Sequence, residues 1–205
     1  MFDNTGLLGV RIVDMENKTI TVSADYYVET QPYQVYTNVY SQKDVDDFNR
    51  LNSELNKLNL KVKSGEYAGF TVVFNLNFIS AGNHLEVNNL VSLANEGTNT
   101  PMANSLRKSQ DFEKYFDTKE YADGSTATVG GATDNNQNIV MNVNFDTEKN
   151  RLHKIFHTFG FEHPKMKGGS SGIMCYPPRS PNAKDAQLFG SDLLNDVLPF
   201  IKKEK

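Results

Sequence analysis

The chain has 205 residues and a formal net charge of −4, with 21 Lys+Arg against 25 Asp+Glu. Its 38% apolar and 22% charged fractions suffice for a buried core, and its length fits one domain or one catalytic unit split by a cleft. The negative balance excludes a nucleic-acid footprint, no apolar run nears the roughly 18 residues of a membrane span, and the single Cys175 excludes an internal disulfide or a cysteine-built zinc cage.

The opening MFDNTGLLGVRIVDMENK lacks the basic start and the about 7–15 apolar residues of a secretory signal. The chain is therefore expected to be cytosolic, trimmed of an export signal, or cut from a longer protein. Asparagine is abundant and lysine far outnumbers arginine, which suggests an AT-rich bacterial genome. No internal repeat or disordered linker is visible.

Two strands are predicted at Val10–Val13 and Thr19–Val28, separated by the turn signal Asp14–Asn17. Ser41 can cap a helix to about Asn59, with Val45, Phe48, Leu51, Leu55 and Leu58 on its inner face. Phe70–Ile79 alternates as a half-buried strand. A short helix is expected over Leu85–Ala94, ended by Gly97. Thr98–Tyr121 reads as a loop and then a helix through Phe112 and Tyr115. A hairpin follows, with arms Ser125–Ala132 and Asn138–Phe145 around the polar turn TDNNQ. Within it Gly130 and Gly131 leave room for a backbone or ligand to approach. Asp146 or Thr147 can cap a helix whose buried stripe is Leu152, Ile155, Phe156 and Phe159, ended by Gly160. The last predicted element is a helix from about Asn182, with Leu188, Leu193, Leu194, Val197 and Ile201 inward.

Three of the four histidines fall within eleven residues: His153, His157 and His163. His153 and His157 are one helical turn apart on one face, so two imidazoles can converge on one ion. If the helix continued, His163 would lie about 15 Å along its axis from His153, far beyond zinc–nitrogen bonds of about 2.1 Å. The helix must break and reverse between His157 and His163, and Gly160 sits where a left-handed residue would do it. Such a three-histidine site with an open fourth position is that of a catalytic rather than a structural Zn²⁺. A plain helix-surface histidine pair is the alternative for His153 and His157 alone. His84 reads as a solvated or locally bonded histidine, and Cys175 as a small buried residue rather than a nucleophile.

This run resembles the metzincin zinc-peptidase signature HExxHxxGxxH. A second element of that family follows: Gly172-Ile173-Met174-Cys175-Tyr176-Pro177, in which Met174, eleven residues after His163, matches the Met-turn. In some metzincins a tyrosine two residues after that methionine reaches the metal or the transition state; Tyr176 is the candidate here, packing beside the cleft being the alternative. The motif resemblance covers about residues 138–177. It implies an α+β, metzincin-like zincin fold, with a twisted mixed sheet and two long helices above a cleft in residues 1–163. A small C-terminal subdomain, 164–205, would hold the Met-turn and the last helix. It also implies a Zn²⁺ cofactor and a peptide or protein substrate lying along an edge strand, expected at Ser125–Ala132, where Gly130 and Gly131 would meet it. Pro177 and its neighbours would shape the pocket beyond the cleaved bond.

One residue departs from the family pattern. Lys154 occupies the position of the glutamate that takes a proton from metal-bound water. An ammonium cannot accept that proton, and its charge beside Zn²⁺ weakens binding or drives the lysine toward its neutral form. Three explanations stand open: a peptidase inactivated by a single-base change, a natural pseudopeptidase that binds metal or peptide, or a rerouted site in which Glu162 or another carboxylate supplies the base. The resemblance fits a secreted or exported bacterial protease or a toxin module of a larger protein, and the abrupt start fits a module boundary or a trimmed chain. The sequence names no inhibitor or immunity partner, and with its one Cys175 inside the Met-turn a cysteine latency switch is not expected.

Overall fold

β1 (Val10–Asp14) and β2 (Thr19–Val28) form where apolar and polar residues alternate, and Ile20, Val22, Ala24, Tyr26 and Val28 of β2 are all buried. The two pair antiparallel, Val10 opposite Ser23 and Asp14 opposite Thr19. The structure is a computed structural model that describes residues 9–98, 102–110, 119–120, 126–127, 130–134, 137–161, 172–173, 180–181, 185–187 and 200–203.

α1 (Gln42–Lys57) begins at Ser41 through a reciprocal cap: the Asp44 N–H donates to Ser41 Oγ at 3.2 Å, and the Ser41 N–H donates to Asp44 Oδ2 at 2.7 Å. Its spaced apolar residues Val45, Phe48, Leu51 and Leu55 are buried. Leu58, expected inward, is 45% exposed. The helix ends one residue earlier, and Asn59 at φ +47° turns the chain away.

β3 (Thr71–Ser80) runs parallel to β2 over its full length, from Thr19 opposite Thr71 to Val28 opposite Ser80. Its outer edge is closed by side chains of α1. Asn49, Asn52 and Asn56 each accept a main-chain N–H and donate to the carbonyl of the same residue. Their partners are Phe78 (3.0 and 2.8 Å), Leu76 (accepting at 2.8 Å, with a short amide contact to its carbonyl) and Phe74 (2.8 and 3.0 Å). Three amides thus satisfy an edge that would otherwise present unpaired groups.

α2 (His84–Asn95) is capped by Asn83 with Glu86 in the same reciprocal way. Val87 and Val91 pack with Ala81, Ala103 and Tyr27, away from the main core. Asn95 repeats the amide device on Ala103, accepting its N–H at 3.0 Å and donating to its carbonyl at 2.8 Å.

That contact opens β4 (Ala103–Ser109), a strand where a loop is predicted. β4 lies inside the sheet, pairing residues 25–28 of β2 in parallel on the edge that β1 uses lower down. Its buried Asn104 and Ser105 hide the strand from any apolar pattern. Asn104 donates to the Asp25 and Met102 carbonyls, and Ser105 Oγ donates to Asn138 Oδ1 at 2.7 Å. The helix expected through Phe112 and Tyr115 lies outside the described residues. β5 (Lys119–Glu120) and β6 (Thr126–Ala127) form a small antiparallel ladder of their own.

The hairpin is real but shorter than expected. β7 (Gly131–Asp134) pairs antiparallel with β8 (Asn138–Asn142), so Thr133 and Asp134, predicted in the turn, stay in the ladder. β8 stops at Asn142, whose side chain accepts the Asn144 N–H at 3.0 Å and starts a 3₁₀ turn over Val143–Phe145. β8 also pairs β4 in parallel, which makes β7 a margin of the sheet. α3 (Glu148–Thr158) follows. Residues 185–187 are helical, but Ile201, expected on a helix, lies in β9 (Phe200–Lys203), a strand parallel to β1 with Ile201 opposite Ile12. Pairing there satisfies the outer edge of β1, which a helix could not do. Leu188, Leu193, Leu194 and Val197 lie outside the described residues. The class is α+β: a seven-stranded mixed sheet with α1 and α3 over the main core.

Asn52→Ala leaves the Leu76 N–H and carbonyl without their amide partner. It is expected to lower the unfolding free energy by about 1–3 kcal/mol, read from urea denaturation; an unchanged midpoint would contradict the bridging role.

Candidate metal centre

α3 carries the first histidine pair, and its seating begins with its cap. Thr147 Oγ1 accepts the Asn150 N–H at 3.3 Å, and Arg151 pairs with Asp146 at 2.9 Å while lying over the Phe48 ring. Leu152, Ile155, Phe156 and Phe159, the expected stripe, are all buried. Phe156 stacks on Phe74 at 5.9 Å between centroids and meets Phe159 and Phe161 edge-on. Thr158 Oγ1 donates to the Ile155 carbonyl at 2.6 Å and accepts from the Tyr26 hydroxyl at 2.9 Å. Burial pushes the Tyr26 phenol well above its ordinary range, with Asp25 adding and the Thr158 bond opposing, so it stays a proton donor. The helix is thus pinned to β2 by a buried hydroxyl pair.

The helix ends as Gly160 predicts. Gly160 adopts φ +81°, its N–H donates to the His157 carbonyl at 2.9 Å, and the Phe161 N–H reaches the Phe156 carbonyl at 3.4 Å. This is the two-bond Schellman stop, and the Phe156–Phe161 ring contact is its usual apolar partner.

The reversal serves a histidine. His157 Nδ1 lies 2.6 Å from the Phe161 carbonyl oxygen, and His153 Nδ1 lies 2.7 Å from that of Ile173. A carbonyl only accepts, so each Nδ1 carries a proton, and in the neutral ring the lone pair then lies on Nε2. That is how metal-binding histidines are held: one nitrogen anchored, the other left basic. The rings sit edge to face, 4.8 Å apart at 89°. His153 is 1% exposed and His157 partly buried. Lys154 is 7% exposed, so a lysine side chain is buried next in sequence to a histidine.

No protein-family model, curated protein or solved structure matches this chain.

Of the other expected site residues, Gly130 and Gly131 are described. A Cβ on Gly130 would come within 2.8 Å of Asn150 Nδ2, and one on Gly131 within 2.9 Å of Met141 Sδ. The space their missing side chains leave is filled by the protein's own α3 and β8. His163, Glu162, Met174, Cys175, Tyr176 and Pro177 lie outside the described residues. Among the described residues no three His, Cys, Asp or Glu side chains converge as a metal site. The second motif does reach the first, because Ile173 immediately precedes Met174 in the chain. Gly172, at φ +113°, and Ile173 rest in turn on the buried Asp185, whose Oδ2 accepts the Ile173 N–H at 3.3 Å. Sequence reasoning missed Asp185 and both carbonyl acceptors: main-chain acceptors leave no residue signature, and Asp185 sits where only a helix was visible.

His84, expected to be solvated or locally bonded, has one local partner in Asn88 and two distant ones in Glu29 and Tyr36. Its Nδ1 is 3.2 Å from Glu29 Oε2, its Nε2 is 3.1 Å from Asn88 Nδ2, and its ring stacks on Tyr36 at 3.8 Å. Burial pushes the Glu29 carboxyl above its ordinary range, opposed by His84 and Arg107. The folded state then holds that proton more tightly than the unfolded one. The stability Glu29 contributes is complete below its unfolded pKa and falls as pH rises through the folded value.

Two measurements follow from this geometry. The stability difference between Glu29→Gln and the unaltered chain should move in favour of the variant from about pH 4 to about pH 7, read by urea unfolding at each pH. Gly160→Ala should cost about 1 kcal/mol or more from the positive φ, measured the same way. No loss would mean the left-handed stop is dispensable.

Proposed function

We propose that this chain is a zinc-peptidase domain of metzincin type, impaired as it stands because Lys154 occupies the general-base position. The observation that carries the reading is the shared anchoring of His153 and His157. Both donate Nδ1–H to a main-chain carbonyl, and the carbonyl that holds His153 belongs to the segment that becomes the Met-turn motif. His153 and His157, with His163 completing the set, would hold Zn²⁺. When bound, the ion would supply Lewis acidity toward a peptide carbonyl and toward water.

The fold supports the rest of the reading in kind. A mixed sheet carries two helices on the core side, and the short antiparallel β7 is a margin to which an extended peptide could add as a strand. Tyr176 is the proposed transition-state contact, and Pro177 the proposed wall of the pocket beyond the cleaved bond. The metzincin-like fold and the division into 1–163 and 164–205 belong to this proposal. So does the setting: a secreted bacterial protease or toxin module acting on peptide or protein.

A second reading, a natural pseudopeptidase that binds zinc or peptide without cleaving it, is favoured by one observation. Lys154 is buried rather than splayed into solvent, so the fold accommodates it. The third explanation, Glu162 or another carboxylate as substitute base, requires hydrolysis by the unaltered chain.

Restoring the base decides among them. Lys154→Glu is expected to raise zinc-dependent hydrolysis of a quenched fluorescent peptide by about two to four orders of magnitude, with a chelator abolishing the gain. A folded, zinc-loaded Lys154→Glu protein without hydrolysis would sink the peptidase reading and leave the binding module. Chelator-sensitive cleavage by the unaltered chain would favour the rerouted site, with Glu162 or another carboxylate as base.

A further inference from the structure

We propose that Asp185 is a positioning residue for His153, acting through the main chain of residue 173. The proposal rests on the reading of His153 as a metal ligand, and it extends the site to a residue of the C-terminal segment.

Asp185 is 2% exposed, and its Oδ2 accepts the Ile173 N–H at 3.3 Å. The carbonyl of the same residue accepts His153 Nδ1–H at 2.7 Å. The carboxylate is therefore linked to the imidazole by two hydrogen bonds and one residue of backbone. Gly172 shows how closely the carboxylate is applied. A Cβ built there would lie 2.6 Å from Oδ2 and 2.8 Å from Oδ1, and φ is +113°. Only glycine fits both the backbone conformation and the space against the carboxylate.

The three residues 185–187 form a fixed post behind this link. Ala186 is fully buried in the main core. Gln187 clamps the loop before β3: its Oε1 accepts the Lys63 and Ser64 N–H groups at 2.9 and 3.0 Å, and its Nε2 donates to the Ser64 carbonyl at 3.0 Å. An imidazole anchored at Nδ1 turns its Nε2 according to where that acceptor stands. The acceptor here stands on Ile173, which with Gly172 lies in neither helix nor strand, and Asp185 ties it to residues packed into the core. The carboxylate thereby sets the tautomer and the ring direction of His153 without touching it.

The test reads the histidine directly in the metal-free protein. Ring ¹⁵N–¹H spectra, with the His153 signals assigned by their loss in His153→Gln, should show the Nδ1–H tautomer in the unaltered chain. Asp185→Ala should raise the Nε2–H tautomer, while Asp185→Asn, which keeps an acceptor, should restore Nδ1–H. Should alanine unfold the chain, Asp185→Ser, too short to reach the Ile173 N–H, carries the same expectation. Co²⁺ is the metal probe. Asp185→Ala or Asp185→Ser should bind it about 10–100-fold more weakly with altered visible bands, and Asp185→Asn should fall between. An unchanged His153 tautomer in the folded Ala or Ser variant overturns the proposal. So does an equal change in Gln187→Ala, which removes the neighbouring clamp and keeps the carboxylate. If the unaltered chain binds no Co²⁺, the metal reading fails, and the tautomer comparison still decides the role of Asp185.

Discussion

Phe156 is the side chain on which the site depends. It is fully buried, it stacks on Phe74 of the sheet, and its own carbonyl takes the Phe161 N–H that closes the helix stop. One ring therefore docks α3 and one backbone group of the same residue reverses the chain after it. Burying a phenylalanine is worth about 1.5–3 kcal/mol, and here that energy also fixes the carbonyl of Phe161 beneath His157. Core packing and histidine orientation are the same event at this position.

The two histidines differ in what holds them. His157 is anchored within four residues of itself, so its geometry forms with the helix stop. His153 is anchored twenty residues away, so its geometry forms only when the later segment has folded back. Loop closure of that length has an entropic cost, which the buried Asp185 and the core-seated Ala186 help to offset. One half of the pair is local and the other is tertiary.

That division also explains what could be read from residues alone. β2, β3, α1 and α3 were legible because their apolar positions repeat at two or at three and four, and Ser41, Thr147 and Gly160 punctuate them as caps and a stop. β4 was not legible, because polar Asn104 and Ser105, buried and hydrogen-bonded, stand between the buried Ala103 and Leu106 and erase the apolar pattern. The hairpin boundary slipped because Thr133 and Asp134, residues common in turns, pair in the ladder. Ile201 looked helical by spacing, yet an open edge of β1 claimed it. The histidine spacing, Gly160 and the need for a reversal were visible from helix pitch; the carbonyls that orient the rings were not, since every residue has one. The asparagine content, read as genome bias, has a structural use at Asn49, Asn52, Asn56 and Asn95.

Those amides carry a chemical consequence. Each of the three on α1 both accepts from and donates to the same residue of β3. Hydrolysis of such an amide to a carboxylate keeps the acceptor, removes the donor and sets a negative charge against a carbonyl oxygen. Spontaneous deamidation would therefore unzip the β3 margin from α1 one rung at a time. A molecule deamidated at one of these positions would differ from an intact one by a charge that isoelectric focusing can count.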